Sequence, residues 1–153
     1  PSSAWMLPYD SFWKDDEVLV SGPLGNYTVK NYEQFFKDIN FTDGWMMRQD
    51  TEKYLHDLTP PGIEVFCVHG VKVKTPASFH YSKKAWHDEQ PDVTWGDGDG
   101  TVNMRSLLGC LRWSGNQKQP VHHKTFSGVD HMAILDNANV VQYMHDLLKS
   151  LNA

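Results

Sequence analysis

The run Ile63-Glu64-Val65-Phe66-Cys67-Val68-His69-Gly70 constrains the fold of this 153-residue chain more than any other stretch. It is β-branched and aromatic, preceded by Thr59-Pro60-Pro61-Gly62 and closed by a glycine, and it reads as a largely buried strand. A buried strand has to be covered, and helical patterns stand on either side of it. Tyr32, Phe35, Phe36 and Ile39 recur at i, i+3, i+4 and i+7, with Thr28 as the expected N-cap. A second helix is expected from about Met46 to Leu58, with Met47, Thr51, Tyr54, Leu55 and Leu58 along one side, ended by the Pro-Pro-Gly stop.

Downstream, Val71 to Pro76 and Ser78 to Tyr81 suggest a hairpin-like excursion. Val102 to Cys110 has helical spacing with Thr101 as N-cap, and Val121 to Phe126 is a second strand candidate. Val140, Val141, Met144, Leu147, Leu148 and Leu151 form the apolar stripe of a last helix packed on a core. The first 23 residues are irregular, and no repeat or low-complexity tract occurs. Helices alternating with strands over the last two-thirds predict an α/β layered architecture.

The length suits one domain. A net charge of −5 without a basic stripe argues against a nucleic-acid partner, and no apolar run is long enough for a membrane-spanning helix. The chain starts at Pro1 without a Met or a signal-peptide core, the pattern expected of a processed piece or a partial sequence. Its two cysteines, Cys67 and Cys110, fit either one disulfide or two buried thiols. A bond closing that loop would contribute roughly 3–4 kcal/mol. The sequons Asn26-Tyr27-Thr28 and Asn40-Phe41-Thr42 favour the secretory pathway, and with it the disulfide.

The chemistry concentrates in Trp95-Gly96-Asp97-Gly98-Asp99-Gly100-Thr101-Val102-Asn103. An EF-hand needs a carboxylate at its first and twelfth positions and glycine at its sixth. With Gly100 sixth, those two positions are Trp95 and Ser106; with Asp97 first, Val102 takes the glycine position and Leu108 the twelfth. Both registers fail. A plain acidic turn, its side chains bonded to local N–H groups, is the general expectation for such a loop. A partner further on argues for more: Phe126-Ser127-Gly128-Val129-Asp130-His131-Met132 places a His in the loop after the next strand. Aspartate after one strand and histidine after the next is the order in which an α/β hydrolase presents the carboxylate and base of its triad. His122 and His123, adjacent on a strand, point to opposite faces and read as structural rather than as metal ligands with His131.

GDGDGTVN, GVDHMAIL, FCVHGVKVKTP, DGWMMRQDTE and SAWMLPY occur in one order over nearly the whole chain. Together they resemble the lecithin:cholesterol acyltransferase family, most of all its lysosomal phospholipase A2 branch (group XV). The resemblance implies the C-terminal half of an α/β-hydrolase fold, with residues 1–60 a cap-associated helical segment and 61–153 the part of the core carrying Asp and His. It makes Asp99 the catalytic aspartate and His131 the catalytic histidine, joins Cys67 to Cys110, and matches Asn26 to a glycosylation position; Asp97 is then the structural member of the acidic pair.

The implied activity is phospholipase A2 and O-acyltransferase chemistry at a lipid surface, passing an acyl group from a glycerophospholipid to water or a lipid alcohol. No cofactor or metal is implied, and the setting is lysosomal or extracellular. A cholesterol acyltransferase of the same family and a non-catalytic lipid-binding chain are the alternatives. In the cap, Trp5, Met6, Leu7, Trp45, Met46 and Met47 offer apolar contact and read mostly as core.

Two departures stand out. The family's Gly and Pro within C-L-Y-G-x-G-hydrophobic-P-T-P are Lys72 and Lys74 in this chain, so the loop is expected to differ in shape or charge. No G-x-S-x-G or A-x-S-x-G elbow exists: Ser21 follows Leu19-Val20 and Ser127 follows Thr125-Phe126. The nucleophilic serine is expected on an N-terminal chain or segment upstream of the matched stretch.

Overall fold

The computed structural model describes residues 2–55, 58–83 and 90–152. In chain order the elements are α1 (Ser2–Trp5), β1 (Val20–Gly22), β2 (Gly25–Tyr27), α2 (Tyr32–Asp38), α3 (Thr42–Leu55), β3 (Val65–Val71), β4 (Val73–His80), β5 (Asp92–Gly98), α4 (Met104–Leu107), β6 (Val121–Ser127) and α5 (Ala138–Leu151). Short 3-10 turns occupy Gly109–Trp113 and Ala133–Leu135. The structure is mixed α/β. Its residues group into two compact units, Pro1–Thr59 with Ala77–Thr94 and Pro60–Pro76 with Trp95–Ala153.

In the first unit β1 and β2 form a tight antiparallel ribbon, Val20 opposite Tyr27 and Gly22 opposite Gly25. β1 also pairs in parallel with the end of β4, Ser21 beside His80, and the sheet order is β2-β1-β4-β5. The core is Ala4, Trp13, Leu19, Tyr32 and Phe36, with Leu7, Trp45 and Met47 packed against it. The six apolar residues singled out near the N-terminus therefore divide. Leu7, Trp45 and Met47 are core, whereas Trp5, Met6 and Met46 are exposed.

Helix α2 forms where its apolar period places it, but Asn31 rather than Thr28 is its N-cap. The Asn31 side chain instead accepts the Thr28 N–H at 2.6 Å, and the Thr28 hydroxyl accepts from Lys30, so both polar groups shape the turn before the helix. Helix α3 begins four residues earlier than expected, at Thr42. His56 and Asp57, and the side chain of Leu55, lie outside the described residues, and Leu58 has left-handed backbone (φ 43°).

Of the side expected for α3, Met47 packs against the core and Tyr54 is exposed, and Arg48 is fully buried beside them. Its guanidinium donates to the carbonyls of Trp5, Leu7 and Pro8 and stacks 3.6 Å from the Tyr9 ring centroid. A cation whose hydrogens meet carbonyls and an aromatic face can be buried where an uncompensated one cannot.

In the second unit β3 and β6 pair in parallel over seven residues, Val65 beside Val121 through Val71 beside Ser127. Burial of β3 increases along the strand, complete only from His69 to Val71. The hairpin-like excursion is instead one strand, β4, reached through Lys72 in left-handed conformation (φ 63°). The acidic stretch is likewise not all loop, since β5 runs through Asp97 to Gly98.

The helix expected over Val102–Cys110 is the single turn of α4 followed by 3-10 backbone, and Asn103 rather than Thr101 precedes it. Cys67 and Cys110 are disulfide-bonded, tying β3 to that 3-10 segment. Asn137 caps α5, accepting from the N–H groups of Asn139 and Val140. The helix docks through Val140 and an edge contact of Tyr143 on Phe126. The apolar stripe is less covered than its period suggests, because Val141, Met144, Leu148 and Leu151 are exposed.

Candidate functional site

Asp99 follows the end of β5, and the chain turns at once because the carboxylate itself holds the turn. Its Oδ1 accepts the Thr101 N–H at 3.0 Å and the Val102 N–H at 2.7 Å, the local side-chain-to-backbone pairing that favours Asp in turns. Its backbone N–H donates to the Val102 carbonyl at 3.2 Å. One carboxylate oxygen is thereby committed to the backbone.

The other oxygen, Oδ2, lies 2.9 Å from His131 Nδ1. The His131 backbone N–H donates to the Asp99 carbonyl at 2.8 Å, so the two residues are tied through both main chain and side chain. The Asp99 side chain is 6% exposed and that of His131 46%. Burial alone would push the Asp99 carboxyl up. The N–H of Val102, the imidazole of His131 and the N–H of Thr101 together outweigh it and hold the carboxyl below its usual value. An ionised carboxylate only accepts, so the imidazole places its proton on Nδ1 and keeps the Nε2 lone pair for another group.

The loop carrying His131 is held against the end of β3. Gly128 donates to the Val71 carbonyl at 2.8 Å, and a β-carbon at Gly70 would stand 1.8 Å from the Val129 carbonyl oxygen and 3.6 Å from Asp99 Cβ. Only glycine fits there. Asp130 Oδ1 accepts from the N–H groups of Met132 and Ala133, closing the turn beyond the histidine.

Asp97, one residue before the end of β5, accepts from the N–H groups of Lys72 and Gly98, both at 2.8 Å. It supports the β3–β4 turn and makes no bond to His131 among the described contacts.

The other residues singled out in the sequence lie apart from this pair. His122 bonds Glu64 at 2.7 Å and stacks on Phe66, while His123 Nε2 meets His69 Nε2 at 2.8 Å. Among the described residues no group of three or more His, Cys, Asp or Glu could hold a metal ion. Asn26 and Asn40 are exposed. The Ser21 hydroxyl pairs with His80 Nδ1 at 2.9 Å across β1 and β4.

Sequence reasoning missed two residues of the site's frame, Gly70 and the fully buried Thr75. Both lie in the stretch 67–76 whose pattern stood out, but what they touch depends on strand pairing that periodicity does not report.

A sequence model described as lecithin:cholesterol acyltransferase matches residues 1–138. The lysosomal phospholipase A and acyltransferase of Bos taurus is 44% identical over 147 residues, 96% of this chain and 36% of the relative, and that of Homo sapiens is 42% identical over the same share of the chain. The phosphatidylcholine-sterol acyltransferase of Gallus gallus is 40% identical over 131 residues, 86% of this chain and 32% of the relative. The chain spans about a third of the length of these curated relatives. With the match running from the first residue through the paired Asp99 and His131, the chain belongs to the lecithin:cholesterol acyltransferase family.

Proposed function

We propose that this chain supplies the base and its orienting carboxylate to a serine-type lipid acyl hydrolase and acyltransferase of the α/β-hydrolase fold. The observation that carries the reading is the 2.9 Å contact between buried Asp99 Oδ2 and His131 Nδ1, with the second carboxylate oxygen held by two backbone N–H groups. Residues 1–60 then serve as cap.

In this reading Asp99 keeps the imidazole in the Nδ1–H tautomer and stabilises the imidazolium. His131 Nε2 takes the proton of the serine hydroxyl as its oxygen attacks the acyl carbon of a glycerophospholipid. The same proton passes to the departing lysophospholipid alkoxide, leaving an acyl-serine. Water or a lipid alcohol then gives its proton to His131 and takes the acyl group, and His131 returns the proton to the serine. The serine comes from a separate N-terminal segment, since neither Ser21 nor Ser127 stands in a nucleophile elbow. Peripheral contact with a membrane or lipoprotein surface and a lysosomal or extracellular setting follow from the same reading, and the name of the lysosomal relatives supports the lysosomal one.

The test is phospholipid ester hydrolysis by the protein with its serine-bearing segment. Asp99→Asn and His131→Ala should each lower kcat by roughly 10⁴-fold while leaving the circular dichroism spectrum unchanged. Near-normal turnover in either variant sinks the reading. The likeness to phosphatidylcholine-sterol acyltransferase supports a second acceptor class, and competing cholesterol against ceramide in the transfer assay decides between them.

A further inference from the structure

Thr75 has no exposed surface, and a hydroxyl that deep must find partners. It donates to the Val73 carbonyl on its own strand at 2.9 Å and accepts the Gly100 N–H at 2.9 Å. Gly100 directly follows Asp99 and holds left-handed backbone (φ 93°), the point at which the chain reverses behind the carboxylate. On the other side Gly98 has no room for a side chain, since a β-carbon would stand 2.5 Å from Thr75 Oγ1 and 2.2 Å from the Val102 carbonyl oxygen. Asp99 itself bridges Val73 in parallel. The backbone on both sides of Asp99 therefore registers against Val73 and Thr75 of β4.

We propose that Thr75 is a positioning residue for the Asp99–His131 pair: its hydroxyl fixes the Gly100 N–H and so aims the Asp99 carboxylate at His131. This rests on the acyl-transfer reading above. The two amides that Asp99 Oδ1 accepts from directly follow Gly100, so a shift at Gly100 carries them with it. Valine at 75 would keep the shape and remove both bonds, leaving a buried N–H without its acceptor. Serine would keep the hydroxyl and lose only a methyl group.

The test is phospholipid hydrolysis by the full protein in Thr75→Val, Thr75→Ser and Asp99→Asn. Thr75→Val should lose roughly 10- to 100-fold in kcat, the effect of a catalytic group displaced by about an ångström. KM should stay within about two-fold, since substrate binding does not use the pair. Thr75→Ser should recover most of the loss. Wild-type kcat in Thr75→Val, or a Thr75→Ser as slow as Thr75→Val, overturns the proposal.

Turnover surviving in Asp99→Asn sinks the acyl-transfer reading itself, whereas loss there beside an unaffected Thr75→Val sinks only the role of Thr75. If Thr75→Val does not fold, hydrogen exchange in the unmodified protein decides. The Gly100 amide should be strongly protected, and exchange at the rate of an open amide overturns the clamp.

Discussion

Lys72 stands in left-handed backbone, where a β-carbon crowds the following carbonyl at a cost of roughly 1–2 kcal/mol for an ordinary residue. Its N–H is held by Asp97, which keeps the turn despite the side chain. Lys72→Gly should therefore stabilise the protein by about 0.5–1 kcal/mol after the extra chain entropy of glycine is counted. Urea unfolding with an unchanged m-value checks it, and a destabilised variant would mean that the lysine side chain contributes packing of its own. The resemblance implied a glycine at the position of Lys72 and suggested an altered loop. In this chain Asp97 supplies from β5 the bond that holds the turn. The pairing of Asp99 with His131 at 2.9 Å was legible because each belongs to a local motif, with little dependence on how distant strands pair.

Between elements, the parallel pairing of β3 and β6 sets His123 beside Cys67 and brings its ring to His69, two residues along the strand. His69 Nδ1 faces the Gly70 carbonyl at 2.8 Å, so that nitrogen carries the proton and Nε2 accepts from His123. Burial, and then the neighbouring His69, depress the basicity of His123 in the folded protein. A base whose folded pKa lies below its unfolded value of about 6.5 takes up protons more readily when unfolded. The native state keeps this group's contribution above that value and loses stability as pH falls through the window down to the depressed folded pKa. His123→Gln should flatten the dependence of Tm on pH across that window, and a Tm curve parallel to the wild type excludes the pair as its source. Periodicity found β3, β6, α2 and α5. It missed β5, because Gly and Asp are poor strand formers and only the partner strand holds them extended. On α3 it found Met47, which packs against the core, but missed Arg48, because a search for apolar residues does not see a buried arginine.

At the scale of the molecule, both sequons are accessible: Asn26 is exposed on the outer strand β2, and Asn40 is exposed in the turn before α3. Expressed through a secretory pathway, the protein should carry N-glycans at both. Digestion with an N-glycosidase should then shift its mass in two increments, one lost in Asn26→Gln and the other in Asn40→Gln. A single mass in the undigested protein equal to that of the polypeptide would refute occupancy. The mixed α/β architecture was legible from the alternation of elements, whereas the degree of cover on α5 was not, since an apolar stripe states what a helix can bury and not what lies against it.

Asp97 and Asp99 stand two residues apart at the end of one strand, the first bracing the turn at Lys72 and the second meeting His131. Because side chains alternate along extended backbone, an odd spacing would turn one of the two carboxylates to the other face. A single residue inserted or deleted between them would detach one partner whichever way the strand slid. Length variation across positions 97–99 should therefore be absent from any functional descendant of this chain, even where the residues on either side drift freely.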